Sequence, residues 1–130
     1  MNIIGLGTDI VNINRIKKIY SKYGNHFLDK ILTEAEKKIE GKTTRSKNIA
    51  TIAKRFAAKE AISKAIGYGF SKGIHFKNIE IYNDKNGKPY ANVNGKAKTM
   101  LSKISKKYNI FLSLSDDKPW AVATALITSR

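Results

Sequence analysis

Cysteine is absent from this sequence, and its absence removes three classes of site at once. A disulfide framework, a thiolate metal centre and a cysteine nucleophile are all excluded. Long apolar runs are absent too, since no uncharged stretch approaches the roughly 20 residues of a membrane span. The N-terminal MNIIGLGTDIV lacks a basic leader and is interrupted by Asp9, unlike a signal peptide. We therefore expect a cytoplasmic protein that does not enter a membrane.

Acidic residues are scarce: 25 Lys and Arg stand against 10 Asp and Glu, which gives a formal net charge of +15. Such a surface attracts polyanions, among them nucleic acids, anionic membranes, phosphorylated metabolites and acidic proteins. Arginine is scarce as well, with four residues among the 25, and lysine supplies diffuse potential rather than bidentate recognition. Charge alone does not choose among these partners, and a solvated lysine-rich surface explains it equally well.

The order of predicted elements favours a single α+β domain over residues 1–130, with 42% hydrophobic residues to form its core. The strands and helices do not alternate as βαβ units, so we predict a mostly antiparallel sheet with one long helix and several short ones. In the first half of the chain, the predicted elements are a strand over 3–10, a basic helix ending at Gly24, a helix beginning at the capping-box pair Thr33 and Glu36, and a long helix over 46–66. In the second half, they are a hairpin within 78–95 with Asn86-Gly87 in its tight turn, a helix with Met100, Leu101 and Ile104 inward, and a hairpin over 110–127 with DDKP at its turn.

The long helix carries a carboxylate at an unexpected position. At about 100° per residue, its apolar stripe continues into Glu60 and then Lys64. The stripe consists of Ile49, Ile52, Ala53, Phe56 and Ala57. One interpretation is that the buried face rotates and Glu60 forms only a surface pair with Lys64, worth about 0.2–0.5 kcal/mol. The other is that Glu60 faces a polar cleft, where a cation offsets the cost of its burial.

A second carboxylate, Asp9, lies at the end of an otherwise apolar strand. It follows GLGT, whose two glycines allow close approach of another backbone. A turn or helix-capping aspartate is an equally good interpretation. Two carboxylates from separate elements, with Lys64 and Arg55 alongside, suit a divalent ion bridged to phosphate oxygens, because Mg²⁺ prefers one or two carboxylates plus waters and substrate phosphates.

Two segments, GLGTDIVNINRI at 5–16 and RFAAKEAISKAIGYG at 55–69, closely resemble the signature motifs of bacterial holo-acyl-carrier-protein synthases, the small trimeric phosphopantetheinyl transferases. FLDKILTEAE at 27–36, NGKPY at 86–90 and SLSDDKPWAVA at 113–123 resemble further family segments, in family order. The resemblance implies a phosphopantetheinyl-transferase-like fold and transfer of phosphopantetheine from coenzyme A to a serine of apo-acyl carrier protein, which supports fatty acid biosynthesis. It also implies a homotrimer with coenzyme A between subunits.

The resemblance further implies a set of site residues. Asp9 and Glu60 match the Mg²⁺ ligands, and Lys64 matches a lysine near the phosphates, so these three form the expected catalytic group. The expected coenzyme-binding residues are Arg55, Lys64, Gly67, Asn86, Gly87, Lys88, Pro89 and Asp116. Arg15 matches the arginine that contacts the carrier protein, with Lys17, Lys18 and Lys22 as helpers. The general base stays open among a metal-bound water, Glu36 and Asp116.

Asp116 departs from the family pattern, since many relatives have a histidine there. An ionised aspartate accepts hydrogen bonds but cannot donate one, so the coenzyme contact at this position is in question. Asp116 could instead orient a water or a lysine.

Two other interpretations give different predictions. A lysine-rich RNA-binding domain would explain the charge together with six tyrosines and five phenylalanines that could stack on bases. It would bind nucleic acid in a salt-dependent way without a divalent metal, and it leaves Glu60 unexplained. An interaction module for acidic proteins predicts that Glu60→Ala is neutral or stabilising. The resemblance to the synthases, in contrast, implies an enzyme that needs neither a membrane nor a nucleic acid.

Overall fold

The computed structural model describes residues 1–40, 45–70 and 72–130. The elements in chain order are β1 (Ile3–Asn12), α1 (Ile13–Tyr23), α2 (Asn25–Ile31), α3 (Glu34–Glu40), α4 (Arg45–Ile66), a 3-10 turn (Phe76–Asn78), β2 (Ile79–Asn83), β3 (Pro89–Val93), α5 (Gly95–Ile104), β4 (Tyr108–Asp117) and β5 (Trp120–Ser129). The predicted α+β class is confirmed. No helix within the described ranges is long and apolar enough to cross a membrane.

The strands form two antiparallel sheets, one with the order β1-β5-β4 and one with β2 and β3. Strand β5 lies in the centre of the larger sheet, where Thr124 pairs with Thr8 on one side and with Ser113 on the other. Its inward positions are mostly small: the fully buried residues of this face are Ala121, Ala123, Ala125 and Ile127. Small side chains on this face let α4 lie close to the sheet.

Helix α4 lies directly on the backbone of β1. A methyl group added at Gly5 would overlap the carbonyl oxygen of Ala65, and one added at Gly7 would overlap that of Ala61. The close approach that the two glycines predicted is therefore confirmed. Asp9 follows Gly7 by two residues, so its side chain points to the same face of the strand, toward α4.

The burial of α4 differs from the single stripe that the sequence predicted. Ala58 and Ile62 are as fully buried as Ala57, because the helix packs at once against both outer strands of the larger sheet, the central strand, α1 and β2. Its least buried line runs through Phe56, Glu60 and Lys64. Ile49, Ile52, Ala53 and Ala57 of the predicted stripe are indeed buried, but burial extends to other sides of the helix, and Glu60 lies on the open side of a helix that is otherwise enclosed.

Several local predictions need correction. The sequence did not predict α2 as a separate helix, and β1 continues two residues beyond the predicted strand. Ile104 is 53% exposed rather than inward, whereas Leu101 is buried. The Asn86-Gly87 turn is part of a five-residue loop over 84–88, in which the Asp84 carboxylate accepts hydrogen bonds from the backbone N–H groups of Asn86 and Lys88.

The face of the larger sheet that points away from α4 carries large apolar side chains, which the described part of the chain leaves uncovered. Its exposed members are Leu6 (68%), Ile10 (59%), Phe111 (50%) and Trp120 (46%). Leu6 pairs with Leu126, which in turn pairs with Phe111, so one apolar row crosses all three strands. The next row of this face, Thr8, Thr124 and Ser113, is exposed and polar, so the apolar side chains form patches rather than one continuous surface. Exposed apolar patches are typical of surfaces that contact another protein chain.

Candidate active site

Asp9, Lys64 and Glu60 come together where β1 meets the C-terminal half of α4. The Lys64 ammonium donates hydrogen bonds to Asp9 Oδ1 and to the Thr8 carbonyl oxygen, both at 3.1 Å. Glu60 lies one turn before Lys64. Its pKa is raised above the ordinary value, chiefly by burial and then by the Asp9 carboxylate, whereas Lys64 and Arg15 act in the opposite direction. The two carboxylates therefore lie in each other's field, and a cation would relieve their repulsion.

The donor set of this site fits a Mg²⁺ ion. Within the described ranges, no group of three or more His, Cys, Asp or Glu residues could hold a metal. Asp9 and Glu60 alone offer two hard carboxylates, so the remaining coordination would come from waters and from oxygens of a substrate. Mg²⁺ prefers this arrangement to a cage built by the protein, and phosphate oxygens are its usual additional ligands.

A cavity of about 550 Å³ opens beside Glu60, between α1, α2 and α4. Its apolar lining is Ile19, Phe27, Ile31, Phe56 and Phe76, and its polar lining is Arg15, Tyr23, His26, Lys30 and Glu60. The rings of Phe56 and Phe76 are stacked with their centroids 5.2 Å apart, and this contact fixes one wall of the cavity. The cavity thus offers an apolar floor with cationic and carboxylate groups beside it.

The basic side chains of α1 lie on two sides of that helix. Arg15 lines the cavity beside Glu60. Lys17, Lys18 and Lys22 line a separate open groove along α1. The structure therefore brings Arg15 to the Asp9–Glu60 group and leaves the three lysines exposed next to it.

Arg55 lies on another side of α4 from Glu60. It is 3% exposed, and its Nη1 donates a hydrogen bond to the carbonyl oxygen of Glu36 at 3.5 Å. Lys59, one turn further on, is fully buried, and its ammonium binds Glu36 Oε1 at 2.7 Å. Burial lowers the pKa of Lys59, while the Glu36 carboxylate acts to raise it.

Sequence reasoning missed Lys59, although it predicted the capping box at Glu36. That box is confirmed, because the Thr33 N–H donates to Glu36 Oε1 and the Glu36 N–H donates to Thr33 Oγ1. The sequence did contain a clue to Lys59: it lies four residues after Arg55, so the two cations fall on one side of α4, apart from the side that carries Glu60 and Lys64.

Of the other expected coenzyme residues, Asp116 and the residues from Asn86 to Pro89 lie on elements other than β1 and α4, whereas Gly67 directly follows α4. Asp116 forms an ion pair with Lys54 of α4 at 3.1 Å, so it orients a lysine, one of the two alternatives that the sequence left open. Gly67 ends α4 at a φ of 114°. Asn86, Gly87 and Lys88 lie in the loop that joins β2 to β3, where Lys88 Nζ lies 5.5 Å from the centre of the Tyr90 ring, and Pro89 begins β3.

Comparison with known proteins gives consistent matches. A family model described as the 4'-phosphopantetheinyl transferase superfamily matches residues 5–125. A holo-[acyl-carrier-protein] synthase of Wigglesworthia glossinidia brevipalpis is 48% identical over 130 residues, covering 97% of this chain and 92% of that protein. The holo-[acyl-carrier-protein] synthase structure from Neisseria meningitidis has a TM-score of 0.87 at 35% identity and covers 98% of this chain and 99% of its own. A holo-(acyl-carrier-protein) synthase from Bacillus anthracis in complex with CoA (3',5'-ADP) has a TM-score of 0.84 at 36% identity, with 100% of both chains covered.

Proposed function

Because the chain belongs to the 4'-phosphopantetheinyl transferase superfamily, we propose that it transfers the phosphopantetheine group of coenzyme A to a serine of apo-acyl carrier protein. The chain is a transferase of the holo-acyl-carrier-protein synthase type, given its full-length similarity to proteins of that name. The observation that carries the proposal is the contact between Lys64 and Asp9, one turn from Glu60. Two carboxylates and an ammonium at one point suit a pyrophosphate substrate held with a divalent ion.

In the transfer, the serine oxygen forms a bond to the phosphorus that carries the pantetheine arm. The bond from that phosphorus to the bridging oxygen breaks, adenosine 3',5'-bisphosphate leaves, and the serine proton is released. We assign Asp9 and Glu60 as the residues that would hold Mg²⁺. When bound, the ion neutralises negative charge that develops on the pyrophosphate oxygens.

Lys64 has two roles in this proposal. Its side chain is 49% exposed and already donates to Asp9 and Thr8, which fixes the Asp9 carboxylate and leaves a positive charge at the mouth of the site. That charge attracts the phosphates of the substrate, as a fixed cation does at a phosphoryl-transfer centre. Asp9 is therefore oriented before the substrate arrives, so less reorganisation is needed in the transition state.

The basic side chains of α1 provide a docking surface for the acidic carrier protein. Arg15 lies in the cavity beside Glu60, and Lys17, Lys18 and Lys22 extend the positive surface outward. The exposed lysines would mainly raise the association rate and its sensitivity to salt. Arg15 is placed to act closer to the reacting groups, because its charge reaches Glu60.

We also propose that the enzyme is a homotrimer with coenzyme A between its subunits, in the cytoplasm. The uncovered row of Leu6, Leu126 and Phe111 supports association, because an exposed apolar patch of this kind favours contact with another copy. Arg55, Asp116 and the loop from Asn86 to Pro89 remain proposed coenzyme contacts. Arg55 lies on another side of α4 from Glu60, and Asp116 and the loop residues lie on other elements, which is compatible with a site shared between copies.

Mass spectrometry of an apo-acyl carrier protein tests this function. We expect a gain of one phosphopantetheine group after incubation with the enzyme, coenzyme A and Mg²⁺, and no gain when EDTA is added. Carriers that stay unmodified in the presence of folded enzyme and Mg²⁺ would contradict the proposal. A lysine-rich RNA-binding domain would instead bind RNA without regard to EDTA.

A further inference from the structure

The ion pair between Lys59 and Glu36 joins α4 to α3, and a hydrogen bond from the same ammonium joins α4 to the end of α2. The Lys59 ammonium lies 2.7 Å from Glu36 Oε1 and 2.6 Å from the carbonyl oxygen of Ile31, the last residue of α2. The two charged side chains are 0% and 1% exposed. Carbonyl groups at a helix C-terminus have no partner within the helix, so this ammonium supplies one.

The carboxylate of Glu36 extends the connection to two more elements. Its Oε1 also accepts a hydrogen bond from the N–H of Thr33, just before α3, at 2.8 Å. Its Oε2 accepts one from the N–H of Ile81 in β2, at 3.0 Å. One ammonium and one carboxylate therefore link α2, the start of α3, α4 and β2, and the geometry of each contact depends on the others.

A buried ion pair is a poor source of stability, because removing two charges from water costs about as much as their attraction returns. Apolar residues of similar volume often stabilise a fold as well. What the pair does supply is a fixed spacing between the elements that it joins. Here, the fixed distance is the one between α2 and the turn of α4 that carries Glu60.

That spacing sets the width of the cavity beside Glu60. Ile31, whose carbonyl group Lys59 holds, also lines the cavity with Phe27 and Lys30 of the same helix. Glu60 directly follows Lys59, so a shift of α2 relative to Lys59 changes the distance from the α2 wall to Glu60. A seven-residue helix such as α2 has little stability of its own and depends on such contacts for its position.

We propose that the Lys59–Glu36 pair is a positioning device that fixes the α2 wall of the cavity relative to Glu60 and thereby sets the affinity for the carrier protein. The inference rests on the proposed function, because it places the carrier protein across this cavity. Lys59 and Glu36 are positioning residues: they act through α2 and touch neither substrate.

Steady-state kinetics of two variants tests the inference. The double variant Lys59→Met/Glu36→Gln removes both charges, so no unpaired buried charge remains, and we expect it to raise the KM for apo-acyl carrier protein about tenfold. Lys59→Arg keeps the charge and changes the geometry, and we expect a rise of about threefold. In both variants the KM for coenzyme A stays within about twofold of the wild-type value. Lys37→Met is the matched control, because it breaks an exposed ion pair between α2 and α3 and should leave both KM values unchanged.

The two KM values separate positioning from simple loss of fold. A smaller folded fraction lowers the maximal rate and leaves the KM for both substrates unchanged. A wild-type KM for the carrier protein in Lys59→Arg and in any folded double variant would overturn the inference. If the double variant does not melt cooperatively, the KM of Lys59→Arg for the carrier protein alone tests the inference, and a wild-type value would overturn it. Failure of the wild-type enzyme to modify any carrier protein would overturn the proposed function instead.

Discussion

The ammonium of Lys64 lies 3.1 Å from Oδ1 of Asp9, across the contact between α4 and β1. The two residues are 55 positions apart in the chain, and they meet because Gly5 and Gly7 let α4 lie on the strand backbone. Glu60 is carried on the turn of α4 before Lys64. The contact thus connects the two signature segments and brings two carboxylates and one cation to one point in the fold.

Replacing Lys64 with Met tests the role of this cation. We expect the kcat/KM for phosphopantetheine transfer to fall about 100-fold, because a fixed charge at the phosphates is lost and Asp9 is no longer oriented. The measurement is steady-state transfer to apo-acyl carrier protein with circular dichroism as a check on folding. Lys103→Met, at an exposed position on α5, serves as control and should keep wild-type activity. Activity of Lys64→Met within about threefold of wild type would contradict the assigned role.

Replacing Gly7 with Ala tests the approach of α4 to β1. The new methyl group would overlap the carbonyl oxygen of Ala61, so the helix must move, and we expect a loss of about 3 kcal/mol in the free energy of unfolding. Urea denaturation measures this change. Lys103→Ala is the control, since Lys103 is exposed on α5 and alanine favours a helix, so the free energy of unfolding should change by no more than about 0.5 kcal/mol. Equal losses in the two variants would show that the helix does not lie on this strand.

Parts of this arrangement follow from the sequence. Local signals were sufficient for the capping box at Thr33 and Glu36 and for the close approach at the two glycines, because each depends on residue type and short spacing. The open side of α4 and the burial of Lys59 could not be predicted in this way. Burial of Lys59 requires Glu36, 23 positions away, and a helical wheel does not distinguish a helix with one buried face from one that is enclosed. The pairing of β1 with β5 was equally out of reach, because strand partners are set by packing of the whole chain.

The raised pKa of Glu60 gives a prediction about stability without metal. Burial and Asp9 make the folded state hold the Glu60 proton more tightly than the unfolded state, whose pKa is near 4.5. Ionised Glu60 therefore lowers the free energy of unfolding. This loss is absent below the unfolded-state pKa, grows as the pH rises toward the folded-state pKa, and reaches its maximum above the folded-state pKa. In EDTA, Glu60→Gln should therefore raise the melting temperature at pH 7 and lose this advantage below about pH 4.5.

Glu34 is the matched control, because Lys37 lowers its pKa by a hydrogen bond. Its charged form is favoured by folding, so Glu34→Gln should shift the melting temperature at pH 7 downward. Thermal melts of the three proteins at pH 7 and at pH 4 measure both signs. A lower melting temperature for Glu60→Gln at pH 7 in EDTA would show that Glu60 already has sufficient compensation from the protein.

The uncovered sheet face gives a prediction about assembly. Leu6→Asp places a charge in the row formed with Leu126 and Phe111, and a buried charge without a partner opposes association. Light scattering coupled to size-exclusion chromatography should give the mass of three chains for the wild type and of one chain for Leu6→Asp. Ile104→Asp, at an exposed apolar position on α5, should remain a trimer. A wild-type monomer would contradict the proposed assembly.

The most direct test of the site compares the wild type with Glu60→Gln in the mass-spectrometric transfer assay, at equal concentration and saturating Mg²⁺. Glutamine preserves the shape of Glu60 and removes the charge that would bind the ion, so any loss of transfer reflects that charge. We predict a rate at least about 100-fold below wild type, with cooperative melting retained. Transfer by folded Glu60→Gln at the wild-type rate would show that the Asp9–Glu60 pair does not carry the reaction.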